Sequence, residues 1–174
     1  MENIYAHLTR VRRGLIRVDA DELTYPLHIL LRHDLERKLL SGELAVRELP
    51  IAWNAGMEQR FGIRPANDTE GCLQDIHWAV GSFGYFPSYA LGAVIAAQLF
   101  ESLRSDVPEL DEQIARGEFT GLFTWLRKNV HGVGAKVTVN ELLKDATGKP
   151  LSSAPFVRYV EGKYLEGAAS SVAA

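Results

Sequence analysis

Leucines recur at helical spacing in the first quarter of this chain, and this period constrains the fold more than any other feature. The apolar positions are Leu23, Leu27, Leu30, Leu31, Leu35 and Leu39. The polar residues between them include His33, Glu36, Arg37 and Lys38. Apolar side chains three and four residues apart share one face of an α-helix, so the pattern predicts a long amphipathic helix. Pro26 suits its first turn, and Gly42 is a natural stop.

The rest of the chain also carries helical patterns, and it has no convincing alternation of apolar and polar residues that would predict a strand. Further helices are predicted over 48–61, from Pro87 to about Ser105, from an acidic cap at Asp106, over 120–130, after Thr138, and from Ser153 to about Glu166. The clearest local signal is a capping box formed by Thr138 and Glu141, with Gly148 placed to end that helix. The predicted fold class is therefore all-α.

The size and composition of the chain limit the classes of protein it can belong to. Its 174 residues suffice for one well-buried core, so we predict a single helical domain over 1–167 and a disordered tail of small residues over 168–174. The formal net charge is −3 and the basic residues are dispersed, which argues against nucleic-acid binding. The longest apolar run, 90–97, is much shorter than the roughly 20 residues of a membrane-spanning helix. The single cysteine and the absence of a signal-peptide pattern favour a cytoplasmic location.

Two neighbouring segments, 71–78 and 81–89, gather side chains that can donate hydrogen bonds. They contain a histidine, two tyrosines and several glycines, which permit tight turns. A tyrosine hydroxyl and a histidine N–H can both donate to an oxygen that becomes negative during a reaction. His77, Tyr85 and Tyr89 are therefore candidate oxyanion donors. The alternative is that His77 is a structural residue whose hydrogen bonds are satisfied within the fold.

The residues do not form a recognisable metal site or an activated nucleophile. The chain has five histidines, and no pair has the His-Glu-x-x-His spacing that brings two imidazoles to one face of a helix. His28 and His33 are separated by about 140° around a helix, which does not suit one zinc ion. Cys72 has no adjacent base in sequence and fits a small, half-buried apolar residue. We therefore expect that this chain alone binds no metal.

A charged segment precedes the first long helix and contains Arg17, Asp19, Asp21 and Glu22. Its arginine could bind a carboxylate through two parallel hydrogen bonds. Its acids could cap the helix or orient a histidine supplied from elsewhere. In a simpler interpretation, the acids complement the helix N-terminus and Arg17 is a surface charge.

These two clusters, in this order, resemble C-terminal motifs of the thermostable carboxypeptidase Taq family of zinc metallocarboxypeptidases. The matching segments are Ile16-Arg17-x-x-Ala20-Asp21-Glu22, Gly71-x-x-Gln74-Asp75-x-His77-Trp78 and Phe83-Gly84-Tyr85-Phe86-Pro87-x-Tyr89-Ala90-Leu91-Gly92. The similarity extends from about Glu2 to about Glu166. Two motifs of this length in fixed order are a specific signal.

The resemblance implies an almost wholly helical, cytoplasmic, usually homodimeric enzyme that removes C-terminal residues from peptides. This chain would then be part of a larger zincin-like helical metallopeptidase fold. In that family zinc is held by a His-Glu-x-x-His helix and a further glutamate, both in upstream motifs that this sequence lacks.

The resemblance also assigns roles to individual residues. Arg17 would bind the terminal carboxylate of the peptide substrate. His77 and Tyr89 would stabilise the oxyanion, and Tyr85 would be a neighbouring contact. From its acidic character and placement, Asp21 is a candidate partner for a zinc-binding histidine.

Two hypotheses of function follow, and they are compatible. In the first, the chain is the C-terminal portion of such a carboxypeptidase, folded but inactive alone because the zinc-binding motifs are missing. In the second, it is a non-catalytic helical interaction or dimerisation module, because a truncated cleft wall would expose apolar aromatic residues. Those residues are Trp78, Phe83, Tyr85 and Phe86.

Overall fold

The computed structural model describes residues 2–166, and none of these lies in a β-strand. They form the α-helices α1 (Glu2–Leu8), α2 (Tyr25–Ser41), α3 (Leu49–Phe61), α4 (Pro87–Asp106), α5 (Leu110–Ala115), α6 (Thr120–Leu126), α7 (Val139–Thr147) and α8 (Ala154–Glu161). Wider π-helical turns extend α6 over Arg127–His131 and α8 over Gly162–Glu166. The all-α prediction is confirmed. The predicted tail, 168–174, lies outside the described residues.

Several helix ends lie where the sequence predicts them. Helix α2 carries Pro26 in its first turn and ends at Gly42, whose φ of 77° is in the left-handed region that favours glycine. Helix α3 ends at Gly62 in the same way. The backbone N–H of Thr138 donates to the Glu141 carboxylate over 2.7 Å, and the Thr138 hydroxyl accepts from the Glu141 backbone. The predicted capping box of α7 is thus present.

The predicted helix cap at Asp106 is wrong. Asp106 is the last residue of α4, and the next helix begins at Leu110. The Asp106 carboxylate instead accepts a hydrogen bond of 2.7 Å from the indole N–H of Trp125. Trp125 is buried, so its N–H needs a partner, and this long-range requirement outweighs the local capping pattern.

Helix α2 buries polar side chains as well as leucines. His28, Arg32 and Glu36 follow one another at four-residue intervals, and all three are buried. The interpretation that placed Glu36 on a polar, solvent-facing side of an amphipathic helix is therefore wrong. Arg32 and Glu36 of this buried polar line bind residues of the loop between α3 and α4, where the candidate site lies, and His28 lies against Phe61 of α3.

The chain divides into two compact units between Leu91 and Gly92, within α4. The apolar core of the first unit consists of Leu31, Leu35, Trp53, Met57, Phe61 and Cys72. The core of the second consists of Leu103, Leu110 and Trp125. The single-domain assignment stays a prediction. No helix among residues 2–166 is long and apolar enough to cross a membrane.

Candidate functional site

The loop between α3 and α4 is anchored to α2 by one buried carboxylate. Glu36 accepts a hydrogen bond of 2.7 Å from the indole N–H of Trp78 and one of 2.6 Å from the backbone N–H of Gly84. Gly81 and Gly84 have φ values of 77° and 74°, which allow the loop to turn back at both points. Glu36 binds Trp78 and Gly84, which lie on either side of the turn at Gly81. The position of the loop is therefore fixed relative to α2.

A second carboxylate, Asp75, joins two arginines from different parts of the chain. Its Oδ1 accepts from Nε and Nη2 of Arg17 at 3.0 and 2.6 Å. Its Oδ2 accepts from Nε of Arg32 at 2.5 Å. The Arg32 side chain is fully buried, and those of Arg17 and Asp75 are 9% and 12% exposed. The interpretation of Arg17 as a surface charge is therefore wrong.

Gln74 also binds both of these arginines, Arg17 and Arg32. Its Oε1 accepts from the backbone N–H of Arg17 at 3.0 Å and from Nη2 of Arg32 at 2.7 Å. Its Nε2 donates to three backbone carbonyls, those of Leu15, Glu70 and Gly71. The amide thus uses both its donor and its acceptor ends, which fixes the orientation of its side chain.

The ion pairs set the protonation states within this group. Burial alone would raise the pKa of Asp75, but hydrogen bonds and attraction from Arg17 and Arg32 lower it below its ordinary value. Burial lowers the pKa of Arg32 to about 10, which still leaves it charged at neutral pH. Burial also acts to lower the pKa of Arg17, yet Asp75 and the Tyr25 hydroxyl together raise it. Asp75 is therefore ionised between two cations.

The three predicted oxyanion donors lie together. Nε2 of His77 is 3.0 Å from the hydroxyl oxygen of Tyr89. The His77 ring stacks on Tyr85 with centroids 5.8 Å apart, and the two tyrosine rings meet edge to face at 5.3 Å. Burial and the neighbouring Tyr85 raise the pKa of Tyr89, so its hydroxyl keeps its proton at neutral pH.

Arg17 lies beside these donors. Its Nη1 donates to the Tyr25 hydroxyl over 2.9 Å, and its guanidinium lies 5.2 Å from the centre of the Tyr89 ring. This second contact is a cation–π interaction, which the rings of tyrosines favour at such distances. The structure thus groups Arg17, His77, Tyr85 and Tyr89 within the first unit.

Asp21 has a different environment. Its carboxylate accepts from the backbone N–H groups of Arg12, Leu23 and Thr24 at 2.7, 3.0 and 2.8 Å. Burial would raise the pKa of Asp21, but these backbone donors lower it. The contacts are those of a residue that orders the entrance to α2, as in the simpler interpretation of this acidic segment. Its role toward a histidine from elsewhere stays a prediction.

The aromatic residues of the loop differ in exposure. Phe83 and Tyr85 are 48% and 50% exposed, whereas Phe86 is buried beneath His77, their ring centroids 4.5 Å apart. The expectation that Phe86 is exposed is therefore wrong, and Trp78 is only partly exposed because it packs against the core of the first unit. The accessible part of this aromatic group is its Phe83 and Tyr85 side.

Sequence reasoning missed the residues that hold the site together, namely Arg32, Glu36, Gln74 and Asp75. Gln74 and Asp75 lie within the quoted motif, but nothing in it indicates that they bind arginines. The available signal was on α2, where two charged residues of opposite sign stand four apart among leucines. Such a pair is typical of an ion pair on the surface of a helix. In the structure, Arg32 and Glu36 bind different parts of the loop instead.

The described residues do not supply a metal site. Within 2–166, no group of three histidine, cysteine, aspartate or glutamate side chains is arranged to hold a metal ion. The arrangement can instead bind an anion through Arg17 and donate a hydrogen bond to a neighbouring oxygen from the hydrogen-bonded pair of His77 and Tyr89.

Comparisons with known proteins agree on one family. The model of the carboxypeptidase Taq (M32) metallopeptidase family matches residues 1–164. Similar proteins include thermostable carboxypeptidase 1 of Pyrococcus furiosus, 45% identical over 164 residues, and carboxypeptidase 1 of Bacillus subtilis, 43% identical over 164 residues. Each match covers 94% of this chain and 33% of the relative.

A solved structure gives the same relationship in three dimensions. The M32 carboxypeptidase from Deinococcus radiodurans R1 superposes with a TM-score of 0.92 at 44% identity, covering 95% of this chain and 33% of that one. The chain therefore spans about a third of the length of the relatives that it matches.

Proposed function

Because this chain belongs to the carboxypeptidase Taq (M32) metallopeptidase family, we propose that it is the substrate-binding portion of a metallocarboxypeptidase. Its part in the reaction is to bind the C-terminal carboxylate of a peptide and to stabilise the oxyanion formed at the last peptide bond. The peptide C-terminus is thus the proposed partner of the site.

The observation that carries this proposal is an excess of buried positive charge. Arg17 and Arg32 share one carboxylate, that of Asp75, so the three contacting side chains have a net charge of +1 although each is at least seven-eighths buried. The other buried carboxylate of α2, that of Glu36, is bonded to Trp78 and Gly84 instead. A buried excess charge is costly unless an anion compensates it. Asp75 engages Nε and Nη2 of Arg17, and each terminal nitrogen of Arg17 retains a second N–H that can donate to a carboxylate.

The oxyanion is stabilised by the groups next to Arg17. Tyr89 contacts both the guanidinium of Arg17 and Nε2 of His77, so a peptide anchored at Arg17 has its last carbonyl near these donors. Hydrogen bonds that strengthen as the oxygen becomes negative lower the reaction barrier. Tyr85, exposed beside them, is the proposed contact for the substrate chain.

We propose that the metal is zinc, as the family resemblance implies, and that other parts of the family fold hold it. The described residues provide no ligand set for it, so the chain alone is expected to be inactive. The metal would supply the activated water for hydrolysis, whereas the residues of this chain bind and orient the peptide.

Carboxylate recognition is tested by comparing a blocked dipeptide that has a free C-terminus with its C-terminal amide. The wild-type chain should bind the acid about tenfold more tightly or better, because a charge-assisted hydrogen bond contributes at least about 1.5 kcal/mol. Arg17→Lys should weaken this preference because it removes the planar fork. The exposed Arg47→Gln, in the same unit, is the control and should retain it. Equal binding of acid and amide by the wild-type chain would contradict the proposal.

The need for the remaining part of the fold is tested separately. Purified chain is assayed for zinc by elemental analysis and for release of the C-terminal amino acid from the same dipeptide. We expect neither stoichiometric zinc nor turnover. Stoichiometric zinc together with robust turnover by this chain alone would refute the proposal of incompleteness.

The exposure of Phe83 and Tyr85 favours a second, compatible function, that of a helical interaction or dimerisation module. We propose a homodimer and a cytoplasmic location on the basis of the family resemblance. Sedimentation of the wild-type chain and of a Phe83→Ser variant tests the first point. A monomer at all concentrations would argue against a dimer, and self-association that Phe83→Ser abolishes would support it.

A further inference from the structure

Of the two candidate oxyanion donors, His77 and Tyr89, only one has a proton available for an oxyanion. We infer that, in the form of His77 that has one ring proton, Asp75 keeps this proton on Nδ1, which makes Tyr89 the oxyanion donor and His77 a positioning residue that orients the Tyr89 hydroxyl. This inference rests on the proposed function, which grouped the two side chains without separating their roles.

The first step is the environment of Nδ1. This nitrogen is buried and has no hydrogen-bond partner among the described residues, and the nearest anionic group is Oδ1 of Asp75 at 3.7 Å. An unprotonated Nδ1 would direct its lone pair toward a carboxylate that is itself rich in electrons. A protonated Nδ1 directs an N–H dipole toward the same oxygen, so the field of Asp75 favours the Nδ1–H tautomer.

Asp75 can exert this field because it cannot turn away. Its Oδ2 is bonded to Arg32, whose side chain has no exposed area, and its Oδ1 is bonded to Arg17. Gln74 fixes both arginines in turn. The carboxylate therefore has one available orientation, with Oδ1 toward His77.

The second step concerns Nε2. A neutral imidazole with its proton on Nδ1 has only a lone pair on Nε2, so the 3.0 Å contact must be a hydrogen bond from the Tyr89 hydroxyl to His77. His77 then has no proton on Nε2 for an oxyanion. Tyr89 does have one, since its raised pKa keeps the hydroxyl protonated. When a more negative oxygen arrives, the Tyr89 O–H can turn from Nε2 to that oxygen by rotation about its C–O bond, which exchanges one hydrogen bond for another and breaks no covalent bond.

The test reads the tautomer of His77 directly. Long-range ¹H–¹⁵N spectra of the full chain at pH 8 distinguish protonated from unprotonated ring nitrogens, and His77→Gln identifies the signals of this ring. We expect protonated Nδ1 and unprotonated Nε2 in the wild-type chain. Asp75→Asn should move at least half of the population to the Nε2–H form, which isolated histidine prefers. Arg47→Gln, which changes an exposed side chain and leaves Asp75 and both of its arginines intact, should leave His77 in the Nδ1–H form.

Each outcome decides the inference. An Nε2–H tautomer in the wild-type chain overturns it, even if Asp75→Asn does not fold, and so does an unchanged tautomer in a folded Asp75→Asn variant. A structural role of Asp75 alone would not move the proton between ring nitrogens. The acid-over-amide peptide comparison is independent of this measurement. A wild-type chain with Nδ1–H but no preference for the acid would refute the proposed function and leave the tautomer assignment standing.

Discussion

The fully buried His28 should make the chain sensitive to mild acid. Neither of its ring nitrogens makes a well-formed hydrogen bond among the described residues, although a backbone contact with Gly14 favours the protonated ring, and the ring lies against Phe61 with centroids 4.3 Å apart. Burial, followed by repulsion from Arg32 and Arg17, lowers the pKa of His28 from 6.5 to about 4. The unfolded chain therefore binds the proton first as the pH falls. Stability that is present above pH 6.5 is lost progressively between about pH 6.5 and pH 4.

The magnitude follows from this shift. At 1.36 kcal/mol per pKa unit, the complete loss is about 3 kcal/mol, and the loss between pH 7 and pH 5 is about 2 kcal/mol. For a domain whose total stability is on the order of 5–15 kcal/mol, this loss is large enough to measure.

The assay compares urea unfolding at pH 7, 6 and 5 for the wild-type chain and His28→Gln, which cannot be protonated. The variant should be less stable at pH 7, because it loses the ring contact with Phe61, but its stability should fall by about 2 kcal/mol less on going to pH 5. His33→Gln removes a partly exposed histidine of the same helix and keeps His28, so it should retain the acid sensitivity. Parallel pH dependences for wild type and His28→Gln would refute the reasoning.

Three further predictions concern packing, the anchor of the loop, and the cysteine. Gly56→Ala should cost up to about 2 kcal/mol in urea unfolding, because the overlap of its Cβ with the buried Leu31 side chain costs about 1–3 kcal/mol and the helix propensity of alanine offsets about 1 kcal/mol. Gly92→Ala in α4 meets no atom within 4 Å and should stabilise by up to about 1 kcal/mol. Glu36→Gln replaces one carboxylate oxygen by an NH2 group, which cannot accept, so one of the two hydrogen bonds that hold the loop is lost. The substitution should cost about 1–3 kcal/mol with a shift in tryptophan emission, and an unchanged midpoint and spectrum would contradict the anchoring role. Burial raises the pKa of Cys72, so its alkylation by iodoacetamide at pH 8, followed by mass spectrometry, should be at least about tenfold slower in the native chain than in urea.

The parts of the fold that the sequence predicts are those set by neighbours along the chain. A glycine that ends a helix, as at Gly42 or Gly62, needs no information beyond its own backbone freedom. The capping box of α7 is formed within four residues. Asp106 satisfies the same local rule but fails, because Trp125, 19 residues away, needs its carboxylate. Local rules are reliable only where no buried distant group competes for the same atom.

The residues of the candidate site could be selected from the sequence, but the contacts that hold them together could not. The resemblance selected Arg17, His77, Tyr85 and Tyr89, and the structure groups all four. It did not indicate Asp75 as the link between Arg17 and His77, because the ion pair joins positions 58 residues apart in sequence. Only the folded chain brings such positions together.

The buried polar line of α2 explains why the apolar pattern of this helix did not predict which of its residues are buried. An apolar stripe at positions 28, 32 and 36 would pack without the desolvation cost of a histidine, an arginine and a glutamate. The arginine orients Asp75 and the glutamate holds the loop, while the histidine stays neutral beside them. A helix optimised for stability alone would not carry these residues in its core. Departures from the apolar pattern therefore mark the positions where α2 serves the site.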